Sequence, residues 1–160
     1  MKVTMMASGT THPASLPTRA RESTPATLKQ CPSRPDLRGH TVSYKGDGLE
    51  LSGEAFGDPE AAPVLFFHGG GQSRNAWRGS ARQVGEAGYF GIAFDLRGHG
   101  ESEWASDGDY HVEAFARDVE ALLTQFSRRV TLVGASRGGQ AARRAGGASS
   151  QREQVGVVVR

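Results

Sequence analysis

An α/β architecture, a mostly parallel sheet with helices on both faces, is predicted by three features of the chain. Short continuous apolar runs at 64–67, 89–94, 130–133 and 155–159 have the composition of strands buried on both faces. Helical patterns lie between them, the longest over 109–126. A hairpin precedes the series, because 41–44 and 49–56 alternate around Lys45-Gly46-Asp47-Gly48. Repeated strand–helix units after a hairpin call for an open sheet whose helices cover both faces.

The elements follow in chain order. Residues 1–39 are rich in Ser, Thr and Pro and show no apolar periodicity, so they read as a disordered leader that cannot bury enough surface to offset its ordering entropy. That leader holds six Lys/Arg against Glu22 and Asp36. Its basic, acid-poor character has a faint likeness to an organelle transit peptide, but a bland extension is the favoured reading. The folded portion, 40–160, holds thirteen Lys/Arg against fifteen acids and has no basic face for nucleic acid. The 160 residues suit one domain. Cys31 is the only cysteine, which excludes an internal disulfide and makes a cytoplasmic setting the default. No run approaches a membrane span, so neither a membrane nor a nucleic acid is an expected partner; a small-molecule substrate is.

Within 109–126, Val112, Phe115, Ala116, Val119, Leu122, Leu123 and Phe126 fall on one helical face, with Asp109 offered as N-cap. A weaker helix over 75–87 runs through Trp77, Ala81 and Val84 and stops at Gly88. Trp77 reads as packing. After residue 138, 139–144 are helix-capable, whereas Gly146-Gly147 and the following 148–151 are poor helix formers. Arg143 and Arg144 read as a solvated helix face.

Three motifs carry the chemistry. Gly134-Ala135-Ser136-Arg137-Gly138 lies between the strand at 130–133 and a helix, the order of a nucleophile elbow. Such a turn holds the serine in a strained backbone conformation, and glycines two residues either side let strand and helix cross without a Cβ collision. His68-Gly69-Gly70-Gly71-Gln72 follows the strand at 64–67, and glycines there let backbone N–H groups approach a ligand as an oxyanion hole requires. His68 is read chiefly as a brace for that loop, with a catalytic role as the lesser alternative. Asp95-Leu96-Arg97-Gly98-His99-Gly100-Glu101-Ser102 reads as a tight polar turn stitched by an Asp–Arg pair. His99 and His111 are weak candidates for a general base, and His12 and His40 belong to the leader and its border.

Together, and in this order, the three motifs resemble the α/β-hydrolase superfamily, among its members single-domain esterases and cofactor-free haloperoxidases. The likeness covers about 40–160. It implies Ser136 as nucleophile, with oxyanion donors from the backbone N–H of Arg137 and of the Gly69–Gly71 turn, Gly70 foremost. His68, Gly69, Gly71 and Trp104, the last on a loop able to rim a pocket, are the accompanying candidate binding residues. The Arg137 side chain is a candidate for steering anionic substrates. The implied reaction is acyl transfer through an acyl-enzyme, needing no metal or cofactor; an aspartate at 136 would instead have pointed to epoxide or haloalkane hydrolysis. Substrate and bond type stay open.

The resemblance also implies a triad acid and histidine after the nucleophile, and here no histidine follows His111. The only acid beyond Gly138 is Glu153, ahead of the expected sixth strand. The favoured expectation is therefore the N-terminal part of a serine hydrolase, catalytically incomplete by itself and with that strand as an open, aggregation-prone edge. A non-catalytic binding module of the same fold and an enzyme completed by a second chain are the alternatives.

Overall fold

The computed structural model describes residues 38–148 and 155–159. Apart from its last two residues, the expected leader lies outside the described residues. The hairpin forms as predicted. β1 (His40–Lys45) pairs antiparallel with β2 (Glu50–Phe56), from His40 opposite Ala55 to Lys45 opposite Glu50. The turn is closed by the Gly46 N–H on the Leu49 carbonyl at 2.8 Å. Then follow β3 (Pro63–Phe67), α1 (Arg78–Glu86), β4 (Phe90–Phe94), α2 (Val112–Leu123), β5 (Val130–Gly134), α3 (Ser136–Ala148) and β6 (Val155–Val159), with a 3₁₀ turn at Arg74–Ala76 ahead of α1. The sheet order is β1-β2-β4-β3-β5-β6; β4, β3, β5 and β6 are mutually parallel, and β2 meets β4 antiparallel.

Alternation along the central strands fills two cores. Leu65 and Phe67, Ile92 and Phe94, and Leu132 point to one face, where Phe115, Val119 and Leu122 of α2 and Ala141, Ala142 and Ala145 of α3 cover them. Val64, Phe66 and Ala93 point to the other, against Ala81 of α1 and the half-buried Trp77 and Val84. The Phe67 and Phe94 rings stack with centroids 5.9 Å apart, and burying each such side chain contributes roughly 1.5–3 kcal/mol.

Three local expectations are corrected. Asp109 is not the N-cap of α2: the helix begins at Val112 behind His111, and Asp109 instead accepts the His111 N–H at 3.1 Å and pairs with Arg117 at 2.9 Å. A short carboxylate two residues ahead of an N–H closes its own turn rather than capping the helix. Gly146-Gly147 do not end α3, which runs through them to Ala148. The fully buried Ala141, Ala142 and Ala145 let α3 lie close on the sheet, and that packing outweighs about 1 kcal/mol of propensity per glycine.

The third correction concerns the turn after β4. Asp95 and Arg97 do not pair with each other; each is buried against a partner from elsewhere. Asp95 accepts the Arg74 N–H at 2.6 Å and the Glu101 N–H at 3.1 Å, with the Arg74 guanidinium 3.2 Å away. Arg97 grips Asp118 of α2 with two bonds of 2.6 and 2.7 Å. The same Asp118 accepts the Asp47 N–H of the β1–β2 turn at 2.9 Å, and Arg97 also donates to the Asp109 carbonyl at 2.9 Å. One buried pair thus ties hairpin, β4 turn and α2 together.

Candidate active site

β3 lies between β4 and β5, and the chain leaves β3 for α1 on one face of the sheet and β5 for α3 on the other. Where successive crossovers diverge in this way, a crevice opens outside the carboxyl ends of the strands. The loop at 68–72 and the turn at 135–136 sit at those ends.

Only Ala135 separates β5 from α3, and Ser136 carries φ of 49°, the one non-glycine in the left-handed region among the described residues. Such a conformation costs on the order of 1–3 kcal/mol and is held by its surroundings. A Cβ on Gly134 would lie 2.6 Å from the Gly138 carbonyl carbon and the Gly139 nitrogen. One on Gly138 would strike the His68 carbonyl oxygen and lie 2.6 Å from that of Phe67. The Phe67 carbonyl further accepts the Ala135 N–H at 3.1 Å and the Trp77 indole N–H at 3.0 Å, so the end of β3 is locked to the elbow. Because backbone is what the new methyl would meet, Gly138→Ala is expected to destabilise the fold by about 1–3 kcal/mol, read from urea unfolding.

Ser136 is exposed, and among the described residues its Oγ has no hydrogen-bond partner. Its Cβ lies 3.5 Å from where a Cβ on Gly69 would stand, which sets the serine against the glycine loop. Within that loop the Gly69 N–H is committed to the Gln72 side-chain oxygen at 3.0 Å, and the Gln72 N–H returns to the Gly69 carbonyl at 3.3 Å. The N–H groups of Gly70, Gly71 and Arg137 have no acceptor among the described residues. The arrangement sets an exposed serine hydroxyl against a glycine loop whose Gly70 and Gly71 N–H groups have no acceptor among the described residues.

His68 is fully buried and both ring nitrogens are engaged: Nδ1–H donates to the Gly69 carbonyl at 2.7 Å, and Nε2 accepts the Leu96 N–H at 3.0 Å. It fastens the loop to the end of β4 and presents no free atom to a ligand. Burial, the largest influence, lowers the imidazole below its ordinary 6.5, against the bond to Gly69, which raises it; nearby His99 lowers it further and Asp95 raises it. A lowered value in the folded state means that stability is full above pH 6.5 and is lost as the pH falls through the folded-state value. Thermal midpoints are accordingly expected to fall as the pH drops below about 6.5, with a shallower decline in His68→Gln.

The other candidates are dispersed. His99 donates from Nδ1 to the Arg97 carbonyl at 2.9 Å, and His111 is exposed ahead of α2. Neither hydrogen-bonds Ser136. The Arg137 guanidinium lies 5.4 Å over the ring of Phe115, covering α2. Trp104 is 74% exposed and meets Tyr110 edge-on at 6.5 Å. Arg143 and Arg144 are exposed, Arg144 pairing with Glu113 at 3.2 Å. Asp118 and Gln72 are the residues whose structural roles the sequence concealed. Asp118 shares the helical face of Phe115 and Leu122, and a charge inside an apolar stripe was the available signal. Among the described residues no group of three or more His, Cys, Asp or Glu could hold a metal ion, and no helix is long and apolar enough to cross a membrane.

Comparison with known proteins agrees with this fold. The profile of the alpha/beta hydrolase fold family matches residues 62–152. The non-heme chloroperoxidase CPO-A1 of Kitasatospora aureofaciens is 44% identical over 94 residues, 58% of this chain and 33% of that protein. An esterase of Mycobacterium tuberculosis is 35% identical over 80 residues, 49% of this chain and 26% of its own length. The chain thus spans about a third or less of these relatives. Among solved structures, a thioesterase domain from the curacin biosynthetic pathway superposes with a TM-score of 0.65 at 24% identity, over 71% of this chain and 43% of that domain.

Proposed function

Because the chain belongs to the alpha/beta hydrolase fold family, we propose that Ser136 is the nucleophile of an acyl-transfer hydrolase acting on ester-like carbonyl substrates. The observation that carries this reading is the serine's own geometry: φ of 49°, an exposed Oγ without a hydrogen-bond partner among the described residues, and N–H groups at Gly70 and Arg137 that have no acceptor among them. The relative named as an esterase adds support for carbonyl chemistry.

In this mechanism a base takes the Ser136 proton as Oγ adds to the substrate carbonyl. The Gly70 and Arg137 N–H groups receive the developing oxyanion, a single such donor being worth roughly 2.7–4 kcal/mol. Collapse expels the alcohol, which takes a proton, and water then releases the acid from the acyl-enzyme. None of the described histidines hydrogen-bonds Ser136, so the reading assigns the base and its acid partner to positions outside the described residues. Residues 40–160 alone would then keep only the slow catalysis that binding and oxyanion stabilisation supply, roughly 10³–10⁴ over water.

The same missing contact favours a second reading, a non-catalytic binding module with this fold. Hydrolysis of a series of p-nitrophenyl esters by the native gene product separates the two. Turnover abolished in Ser136→Ala supports the hydrolase; no turnover, or turnover indifferent to Ser136, supports the module.

A further inference from the structure

The loop after β3 holds three consecutive glycine N–H groups, and a spare donor there is a liability as much as an asset. An oxyanion hole works because its donors are fixed before charge develops, whereas a flexible triglycine could turn any of its amides toward the ligand or toward water. In this loop both flanks are fixed by hydrogen bonds. His68 is fastened at both ring nitrogens, to Gly69 and to Leu96. The Arg74 N–H is held by Asp95 at 2.6 Å. Between these two anchors one side chain closes the remaining gap: Gln72 takes the Gly69 N–H on its side-chain oxygen at 3.0 Å while its own N–H returns to the Gly69 carbonyl at 3.3 Å.

We infer that Gln72 is a positioning residue for the oxyanion hole, whose side-chain oxygen withdraws the Gly69 amide from the site and fixes the donor of Gly70. The inference rests on the acyl-transfer reading of Ser136. Gln72 lies outside the core and supports no buried apolar contact, so its exchange tests loop geometry rather than folding. Gly69 is buried, and a Cβ there would meet the Gln72 oxygen at 3.2 Å, so the two groups are packed as well as bonded. When the glutamine oxygen is removed, the Gly69 N–H becomes a buried donor without its partner, and the loop can relieve that only by turning its peptide planes.

The test uses Gln72→Met, which keeps the side chain's length without the acceptor, and a fluorophosphonate probe on the native gene product. In the labelling step the Ser136 Oγ–P bond forms, the P–F bond breaks, fluoride departs and the hydroxyl proton passes to the base. The P=O oxygen occupies the oxyanion position, so the maximal labelling rate reports the hole while the half-saturating probe concentration reports binding. Gln72→Met is expected to lower the maximal rate about 10–100-fold with half-saturation unchanged, somewhat less than loss of a whole donor. The Gly69 amide is expected to lose its hydrogen-exchange protection while the β3 amides keep theirs.

A variant that labels at the parental rate, or a Gly69 amide protected equally in both proteins, overturns the positioning role while leaving Ser136 as nucleophile. A parent protein that is not labelled at Ser136 overturns the acyl-transfer reading, and the role of Gln72 falls with it.

Discussion

Replacing Ser136 by alanine is expected to lower ester turnover by the native gene product at least about 10⁴-fold, with little change in stability. The magnitude follows from what the hydroxyl does in the proposed reaction. Without it no acyl-enzyme forms, and only substrate binding and the free N–H groups of Gly70 and Arg137 remain to assist attack by water. Stability should shift little because Oγ makes no hydrogen bond among the described residues and the side chain is exposed. The backbone at 136 stays in the left-handed region for alanine as for serine, φ being 49° in the parent. Steady-state kinetics beside urea unfolding separate the two effects. A large loss of stability would show that the side chain is structural.

The largest expected effect on stability lies away from the serine. Arg97 and Asp118 are 2% and 1% exposed and joined by two short bonds, and removing either partner leaves a buried charge unpaired. The hydrogen bonds it donates to Asp118 hold the Arg97 pKa above its ordinary value, so the guanidinium stays charged and cannot escape by deprotonation. Asp118→Ala or Arg97→Ala is expected to destabilise the fold by about 3–5 kcal/mol, measured by urea unfolding. The double variant Arg97→Met with Asp118→Leu is expected to recover most of that loss, because it buries no charge at all. A double variant as unstable as either single one would show that the bonds from Arg97 to the Asp109 carbonyl and from Asp47 to Asp118 carry the effect instead.

Strand positions were legible because the central strands are buried on both faces. Runs such as Val64-Leu65-Phe66-Phe67 need no alternation and stand out as apolar blocks between polar turns. The elbow could be read because its glycines answer a local steric demand that leaves a mark at fixed spacing. Long-range pairing left no such mark. Asp95 and Arg97 lie two residues apart and invite a local bond, yet their partners are Arg74 and Asp118, 21 residues away in each case. Asp109 looked like a cap because propensity cannot tell a capping carboxylate from one closing an Asx turn two residues earlier. The helix through Gly146-Gly147 was hidden for a related reason, since close packing of Ala141, Ala142 and Ala145 decides it and intrinsic preference does not. At the site, the motif located Ser136 and the glycine loop, but the use of Gln72 to occupy one amide depends on loop geometry.

The central claim is that Ser136 is a nucleophile held opposite free backbone donors, and covalent capture tests it most directly. The native gene product would be treated with a fluorophosphonate, digested and mapped by peptide mass. A single adduct on Ser136, absent from Ser136→Ala and from protein unfolded before treatment, is the expected result. No adduct on the folded protein, or an adduct on any other residue, would contradict it and leave the fold as a binding module.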